Sequence, residues 1–415
     1  MVDSSNPQNC IACGGAIRIL SNFGVQALTN YFPTNVGEIV RVHPLILGTC
    51  TVCATVQLCN PCPEEMLRPP RPMRYNEPEG HLDTLVDEVV SLPGVSRHSR
   101  FCGLTYKEST TLERLSRLGF HDLTTLSPRD DFQITDESAG LETIQARLTS
   151  EVADMLVARH GTFDVVFVRH LLEHVHHLTG FLPAVKCLTT PAGYVIFEVP
   201  DCTTMFDVLD YSFLWEEHIS YFTPATLAST LRNHGLNPCR VLTYPYAFEN
   251  SLVAITRRDS PPLQPTHERP DVPSGEHRLA DRYAASFPRI RELWREKLTA
   301  LKRQGPVAVL GAGHLAVTFI NLLGLEGMID CVCDDASDKV DLWIPGTQLQ
   351  ISSTDVLLQH PFSVCLMAVA PDSEPRVLAR HQEFINRGGR FASIFAASDY
   401  AMKLDATIKR ESHES

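Results

Sequence analysis

The chain has 415 residues, with 36 Lys+Arg against 49 Asp+Glu and a formal net charge of −13. Its length predicts more than one domain, and its composition, 44% hydrophobic and 20% charged, excludes a disordered or fibrous chain. An acidic chain without a Lys/Arg cluster argues against a nucleic-acid partner, and the lack of a long apolar run argues against a membrane span; with no apolar signal core in Met1–Asn9, a cytoplasmic protein is expected.

The cysteines are unevenly placed. Six of the thirteen fall in the first 62 residues. Cys10-Ile-Ala-Cys13 and Cys50-Thr-Val-Cys53 are two C-x2-C pairs, each able to turn two thiolates toward one ion. Four thiolates fill a tetrahedral shell and leave no open position, so the four predict a structural zinc rather than a catalytic one. A small sheet is expected between the pairs. Cys59 and Cys62 repeat the spacing, but no further ligands are at hand, so they read as spare thiols. The proline-rich run Arg68–Arg74 reads as a linker, followed by a helix over 82–91.

From about residue 94 to 258, strands alternate with helices. Strands are predicted at 99–104, 121–126, 163–168, 194–199 and 251–256, with a helix over 109–118. This alternation predicts a parallel, doubly wound sheet with its ligand site at the carboxyl ends of the strands.

Three stretches carry a resemblance. Phe163-Asp-Val-Val-Phe-Val-Arg-His-Leu-Leu-Glu-His-Val175 and Pro191-Ala-Gly-Tyr-Val-Ile-Phe-Glu-Val-Pro-Asp201 resemble the second half of a class I S-adenosylmethionine (SAM) methyltransferase. Phe213-Leu-Trp-Glu-Glu-His-Ile-Ser-Tyr-Phe-Thr-Pro224 resembles a segment of the three-domain C-methyltransferases, which act chiefly on nucleotide-linked deoxysugars. The resemblance implies a zinc-binding domain over 1–75, a class I methyltransferase-like domain over 76–262 and a C-terminal Rossmann-like domain over 263–415. The fold class is α/β, a small zinc domain plus two doubly wound units. The implied ligands are structural zinc, SAM and a small-molecule substrate, in this family a nucleotide-linked one.

The same resemblance assigns residues. Gly103, Ser127, Arg169 and His170 fall where the family contacts SAM. His174 and His218 fall where it places histidines for proton removal next to a carbonyl, which suits a base with a near-neutral pKa. Glu217 is placed to tune His218. Trp215 stands where the family has a tyrosine, and Tyr221 is the candidate to replace that hydroxyl if the segment is helical. His170 and His174 have the i, i+4 spacing of a helical metal pair, but without a third ligand no catalytic metal is predicted.

The departures bear on SAM. The family's first strand ends in an acidic residue and a glycine-rich turn. Here the stretch is Phe101-Cys-Gly-Leu-Thr-Tyr-Lys107, with Phe101 at the acidic position and Lys107 at the last glycine. Ser127 replaces the ribose-binding acid, with Asp130 and Asp131 close behind. Three readings follow. One is a C-methyltransferase using histidine acid/base groups. The second is a SAM-independent relative doing acid/base isomerisation, epimerisation or cyclisation. The third is a non-catalytic scaffold.

In the last third, a linker over 259–275 precedes a long helix over 277–303. Pro306-Val-Ala-Val-Leu-Gly-Ala-Gly-His314 is a strand and glycine turn, and Ile329-Asp-Cys-Val-Cys-Asp-Asp335 is a strand ending in acids. This pattern is open to a substrate nucleotide or diphosphate contact, a purely structural role or a dinucleotide site.

Overall fold

The computed structural model describes residues 9–69, 77–136, 140–259 and 274–404. Most of the two expected linkers, with the domain boundaries at 75 and 262, lies outside the described residues. The chain gathers into two compact units. One comprises Met1–Val25, His43–Phe206 and Glu216–Arg282; the other comprises Gln26–Val42, Asp207–Trp215 and Tyr283–Ser415.

The first unit holds a small sheet and a large one. The small sheet has β1 (Ile17–Ala27), β2 (Val42–Cys50), β3 (Val56–Leu58) and β8 (Ser220–Tyr221) in that spatial order. It is built between and beside the cysteine pairs, as their spacing predicts. The large sheet contains β4 (Phe101–Gly103), β5 (Leu123–Thr125), β6 (Phe163–Arg169), β7 (Thr189–Asp201), β9 (Asn237–Tyr244) and β10 (Asn250–Arg257), in the order β5-β4-β6-β7-β10-β9. Strands β4 to β7 are mutually parallel. The expectation of a wholly parallel sheet needs one correction. β10 runs antiparallel to both β7 and β9, because the short link between β9 and β10 permits a hairpin, whereas a parallel pair needs a crossover of a dozen or more residues.

Residue pattern explains why these strands form where they do. β6 reads Phe-Asp-Val-Val-Phe-Val-Arg and is buried along nearly its whole length, as a central parallel strand covered on both faces must be. Its aspartate acts locally. Asp164 Oδ2 accepts the Arg100 N–H at 2.9 Å, pinning the start of β6 beside the entry to β4. Gly193 permits β7 to approach β6, since a Cβ there would lie 2.7 Å from the Asp164 carbonyl oxygen. The helix Leu82–Val90 buries Leu82, Leu85, Val86 and Val89, the i, i+3, i+4, i+7 stripe of an amphipathic helix. Each such side chain contributes about 1.5–3 kcal/mol on burial.

The second unit carries a parallel sheet of β11 (Val307–Leu310), β12 (Cys331–Asp334), β13 (Ile351–Ser353), β14 (Val364–Met367) and β15 (Phe391–Ser393), in the order β13-β12-β11-β14-β15. The order reverses at β11, so this is the doubly wound arrangement expected. The long helix spans Ser274–Lys302. Among the described residues, no helix is long and apolar enough to cross a membrane.

Candidate functional site

The four predicted cysteines converge. The Sγ atoms of Cys10 and Cys53 are 3.6 Å apart, those of Cys13 and Cys50 are 3.4 Å apart, and all four lie within 4.8 Å of one another. A tetrahedral zinc with bonds of about 2.3 Å sets its sulfurs about 3.8 Å apart, so the donor set fits that ion. Hydrogen bonds from the Cys10 and Cys53 thiols, joined by the N–H groups of Cys53 and Val52, lower the Cys50 pKa, while the same crowding pushes Cys10 up. Cys59 and Cys62 are buried but do not belong to this group. Cys59 Sγ packs where a Cβ on Gly48 would come within 2.6 Å, and burial raises its thiol to about 11.

Gly103, Ser127, Arg169 and His170 come to the carboxyl ends of three adjacent strands, β4, β5 and β6. Their surroundings are not an open glycine cradle. A Cβ on Gly103 would stand 2.5 Å from Glu108 Cβ. Gly103 thus makes room for Glu108, which is fully buried and accepts from the Thr105 N–H at 2.7 Å, the Thr105 hydroxyl at 2.8 Å and the Arg169 N–H at 2.7 Å. Lys107 is buried and paired with Glu77. Ser127 donates through Oγ to Asp130 at 3.2 Å and through N–H to Asp131 at 2.8 Å. Asp131 is also held by Arg159 at 3.0 Å and His160 at 2.7 Å, whereas Asp130 is exposed.

Arg169 is 1% exposed. Its Nε donates to Glu198 Oε2 at 2.5 Å and its Nη1 to the Lys107 carbonyl at 2.5 Å. Glu198 also accepts from the Ser251 hydroxyl at 2.7 Å and meets His81 Nε2 at 3.0 Å and His170 Nε2 at 3.3 Å. Burial alone would raise the Glu198 pKa; Arg169, His170 and His81 together hold it well below the carboxylate range. Burial would likewise lower His170, but Glu77, Glu173 and Glu198 bring it up to about 10. His170 also sits at φ +47°, a strained backbone for a residue with a Cβ. The next turn, Leu172–His174, is a 3-10 turn, so the helical i, i+4 geometry considered for His170 and His174 does not exist. Replacing Arg169 by methionine should leave Glu198 buried beside fewer cations. It should cost about 3–5 kcal/mol in denaturant unfolding, and a loss below about 1 kcal/mol would contradict this account.

His174 and His218 are brought together. Their rings are 4.9 Å apart at 79°, and they are buried to 4% and 9% exposure. Glu173 joins them, with one oxygen within 4.8 Å of a nitrogen on each. The Ile219 N–H donates to the Glu173 carbonyl at 2.7 Å, which ties the His218 segment to the 172–174 turn. Glu217 is also buried. Tyr221 is not helical relative to His218. It lies on β8 opposite Val56, yet its ring is 6.3 Å from that of His218. Trp215 belongs to the second unit, where its Nε1 donates to Thr29 Oγ1 at 2.7 Å and its ring stacks on His314 at 4.5 Å.

Sequence reasoning does not single out Glu77, His81, Glu173, Glu198 or Glu249. Glu249 is raised to about 8, by burial first and then by Glu77 and Glu173 against His170. One signal for this group is present in the sequence: Glu198 is a lone charge inside the apolar run Tyr194–Val199, where a carboxylate survives only if partnered.

In the second unit, Gly311 has φ +101° and backs onto Ala368, whose carbonyl oxygen would be 2.9 Å from a Cβ. Asp334 Oδ2 accepts the Ala312 N–H at 2.6 Å, its Oδ1 accepts the Ala336 N–H at 2.8 Å, and Lys339 Nζ donates to the Ala312 carbonyl at 3.0 Å. The carboxylate that a dinucleotide site turns to the ribose is here engaged by the turn itself, which favours a structural role over a dinucleotide one.

Residues 107–241 match the family model of a methyltransferase domain, and residues 275–395 match that of a C-methyltransferase C-terminal domain. The chain is 27% identical to the C-methyltransferase NovU of Streptomyces niveus over 265 residues, which is 61% of this chain and 62% of that one. The match thus spans about three fifths of the relative's length. Among solved structures, a 1,6-didemethyltoxoflavin-N1-methyltransferase from Burkholderia thailandensis is 16% identical, covering 43% of this chain and 78% of that one at TM-score 0.30. A SAM-dependent methyltransferase from Archaeoglobus fulgidus is 10% identical, covering 42% and 94% at TM-score 0.29. The chain thus carries, in this order, a match to a methyltransferase domain and a match to the C-terminal domain of C-methyltransferases, and it is similar to a C-methyltransferase over about three fifths of its length.

Proposed function

We propose that the protein transfers a methyl group from SAM to a carbon next to the carbonyl of a small biosynthetic substrate, with structural zinc held by Cys10, Cys13, Cys50 and Cys53. The pair of domain matches supports the reaction class. The observation that carries the mechanism is the buried His174–His218 pair beside Glu173 and Glu217. Two imidazoles in contact can supply a proton acceptor and a proton donor. One accepts the α-proton as the C–H pair moves into the enolate. The other, or the Tyr221 hydroxyl, donates to the oxygen where negative charge gathers. Glu217 and Glu173 stabilise the imidazolium that results.

The residues present fit SAM in charge. Glu77, Glu79, Glu108, Glu173 and Glu198 outnumber Lys107, Arg169 and the cationic His170 at these strand ends, a balance that favours a cation. Asp130 would take the ribose hydroxyls, with Gly103, Ser127, Arg169 and His170 lining the crevice. When bound, SAM supplies an electrophilic methyl group on sulfur. The sequence resemblance makes a nucleotide-linked sugar the first acceptor to try, and the cytoplasm the place where it would be met.

A second reading is favoured by one observation: Glu108 occupies the space beside Gly103 that the family leaves to the cofactor. On that reading the same histidines perform SAM-independent isomerisation, epimerisation or cyclisation. Calorimetric titration of the full chain separates the two. SAM binding is expected, weakened roughly 10- to 100-fold by Asp130→Ala, the effect of losing charged hydrogen bonds. No heat at millimolar SAM would end the first reading and leave the second.

A further inference from the structure

Glu173, His174 and His218 have a capacity that proton transfer does not use. One carboxylate and two imidazoles converge within 4.8 Å, at 2%, 4% and 9% exposure. Glu173 Oε2 is buried with no hydrogen-bond partner among the described residues, a costly condition for a carboxylate oxygen and one that a cation relieves. The other oxygen faces His170 Nδ1 at 3.5 Å, and His170 reaches on to Glu198 at 3.3 Å. Outer contacts of this kind orient a ligating carboxylate.

Bonds of about 2.0–2.2 Å to nitrogen and oxygen in a tetrahedral site set ligand atoms roughly 3.4 Å apart, a spacing that small side-chain rotations would bring about. Two imidazoles with one carboxylate suit zinc, cobalt or copper better than magnesium or calcium.

We propose that Glu173, His174 and His218 form a site for a divalent transition-metal ion, distinct from the four-cysteine cluster, and that occupancy competes with proton transfer. The ion takes the same imidazole lone pairs that acid–base chemistry needs, so a bound ion stops the reaction reversibly. The binding does not rest on the proposed reaction; the competition rests on the acid–base role proposed for the histidines.

The test is Co2+ titration of the zinc-replete full chain, followed by equilibrium dialysis and visible absorption. About one Co2+ per chain beyond the zinc is expected, with ligand-field bands and no thiolate charge-transfer band. Glu173→Gln and His218→Ala should each weaken uptake at least about ten-fold, while His360→Ala, exposed in the other unit, should not. The proposal is overturned if the wild-type chain takes up no added Co2+, if uptake shows the thiolate band, or if both site variants bind as wild type does. Should either variant unfold, pulsed EPR of wild type loaded with Cu2+ decides: coupling to two imidazole nitrogens supports the site, and fewer than two sinks it. Co2+ uptake without methyl transfer would count against the methyltransferase reading alone, and methyl transfer without uptake against this one alone.

Discussion

Cys50→Ser is expected to release the structural metal and unfold the N-terminal sheet. Cys50 ends β2, and its thiol lies within 4.8 Å of the three other sulfurs. Its neighbours lower its pKa, and its loss leaves three sulfurs where a closed tetrahedral site needs four. Structural zinc sites contribute about 10–16 kcal/mol of apparent binding energy in small peptides, more than a typical domain's net stability. Metal analysis should show about one zinc per wild-type chain and none in the variant, with a lower melting temperature. Cys59→Ser is the matched control, since Cys59 is buried but stands outside the cluster; it should keep its zinc. Equal metal content in wild type and Cys50→Ser would refute the assignment.

His218→Ala should lower kcat by about 10²–10⁴, the usual worth of a general acid–base group, with little change in KM and an unchanged far-UV spectrum. His174→Ala should do the same. Because the rings touch at 4.9 Å, the double variant should lose much less than the product of the two single losses. Glu217→Gln should cost less, since it alters the imidazole's environment and not the group that moves the proton. The acid–base assignment fails if both single histidine variants turn over at the wild-type rate in an assay that follows methyl transfer or α-proton exchange. Exchange of the substrate α-proton with solvent reads the histidine step even where no methyl group is transferred.

Much of the fold is legible in the sequence because it rests on local pattern. The apolar run of β6, the stripe of Leu82–Val90 and the glycine turn at Gly311 each declare an element within a few residues. β9 is not legible in this way. Its sequence, Asn-Pro-Cys-Arg-Val-Leu-Thr-Tyr, has a half-exposed pattern, since an edge strand is buried on fewer sides than a central one. Whether the segment from His218 to Tyr221 is helical is left open by the sequence; pairing of β8 with β3 makes Tyr221 part of a strand, and a two-residue strand has no periodicity of its own to read.

For the sites, the division follows the range of the forces involved. The sequence by itself determined that Cys10, Cys13, Cys50 and Cys53 form a cluster able to hold a metal ion, because a C-x2-C turn presents its thiolates whatever surrounds it. It also determined the strand ends where Gly103, Arg169, His170 and His174 stand, since strand direction places them there. Only the tertiary structure decided what those ends contain. Glu108 fills the space beside Gly103, Asp131 is taken by Arg159 and His160, and Glu198 gathers Arg169, His170, His81 and Ser251 from distant parts of the chain. Pairing a buried charge depends on partners that folding delivers from far along the chain, and spacing in the sequence does not encode which ones arrive.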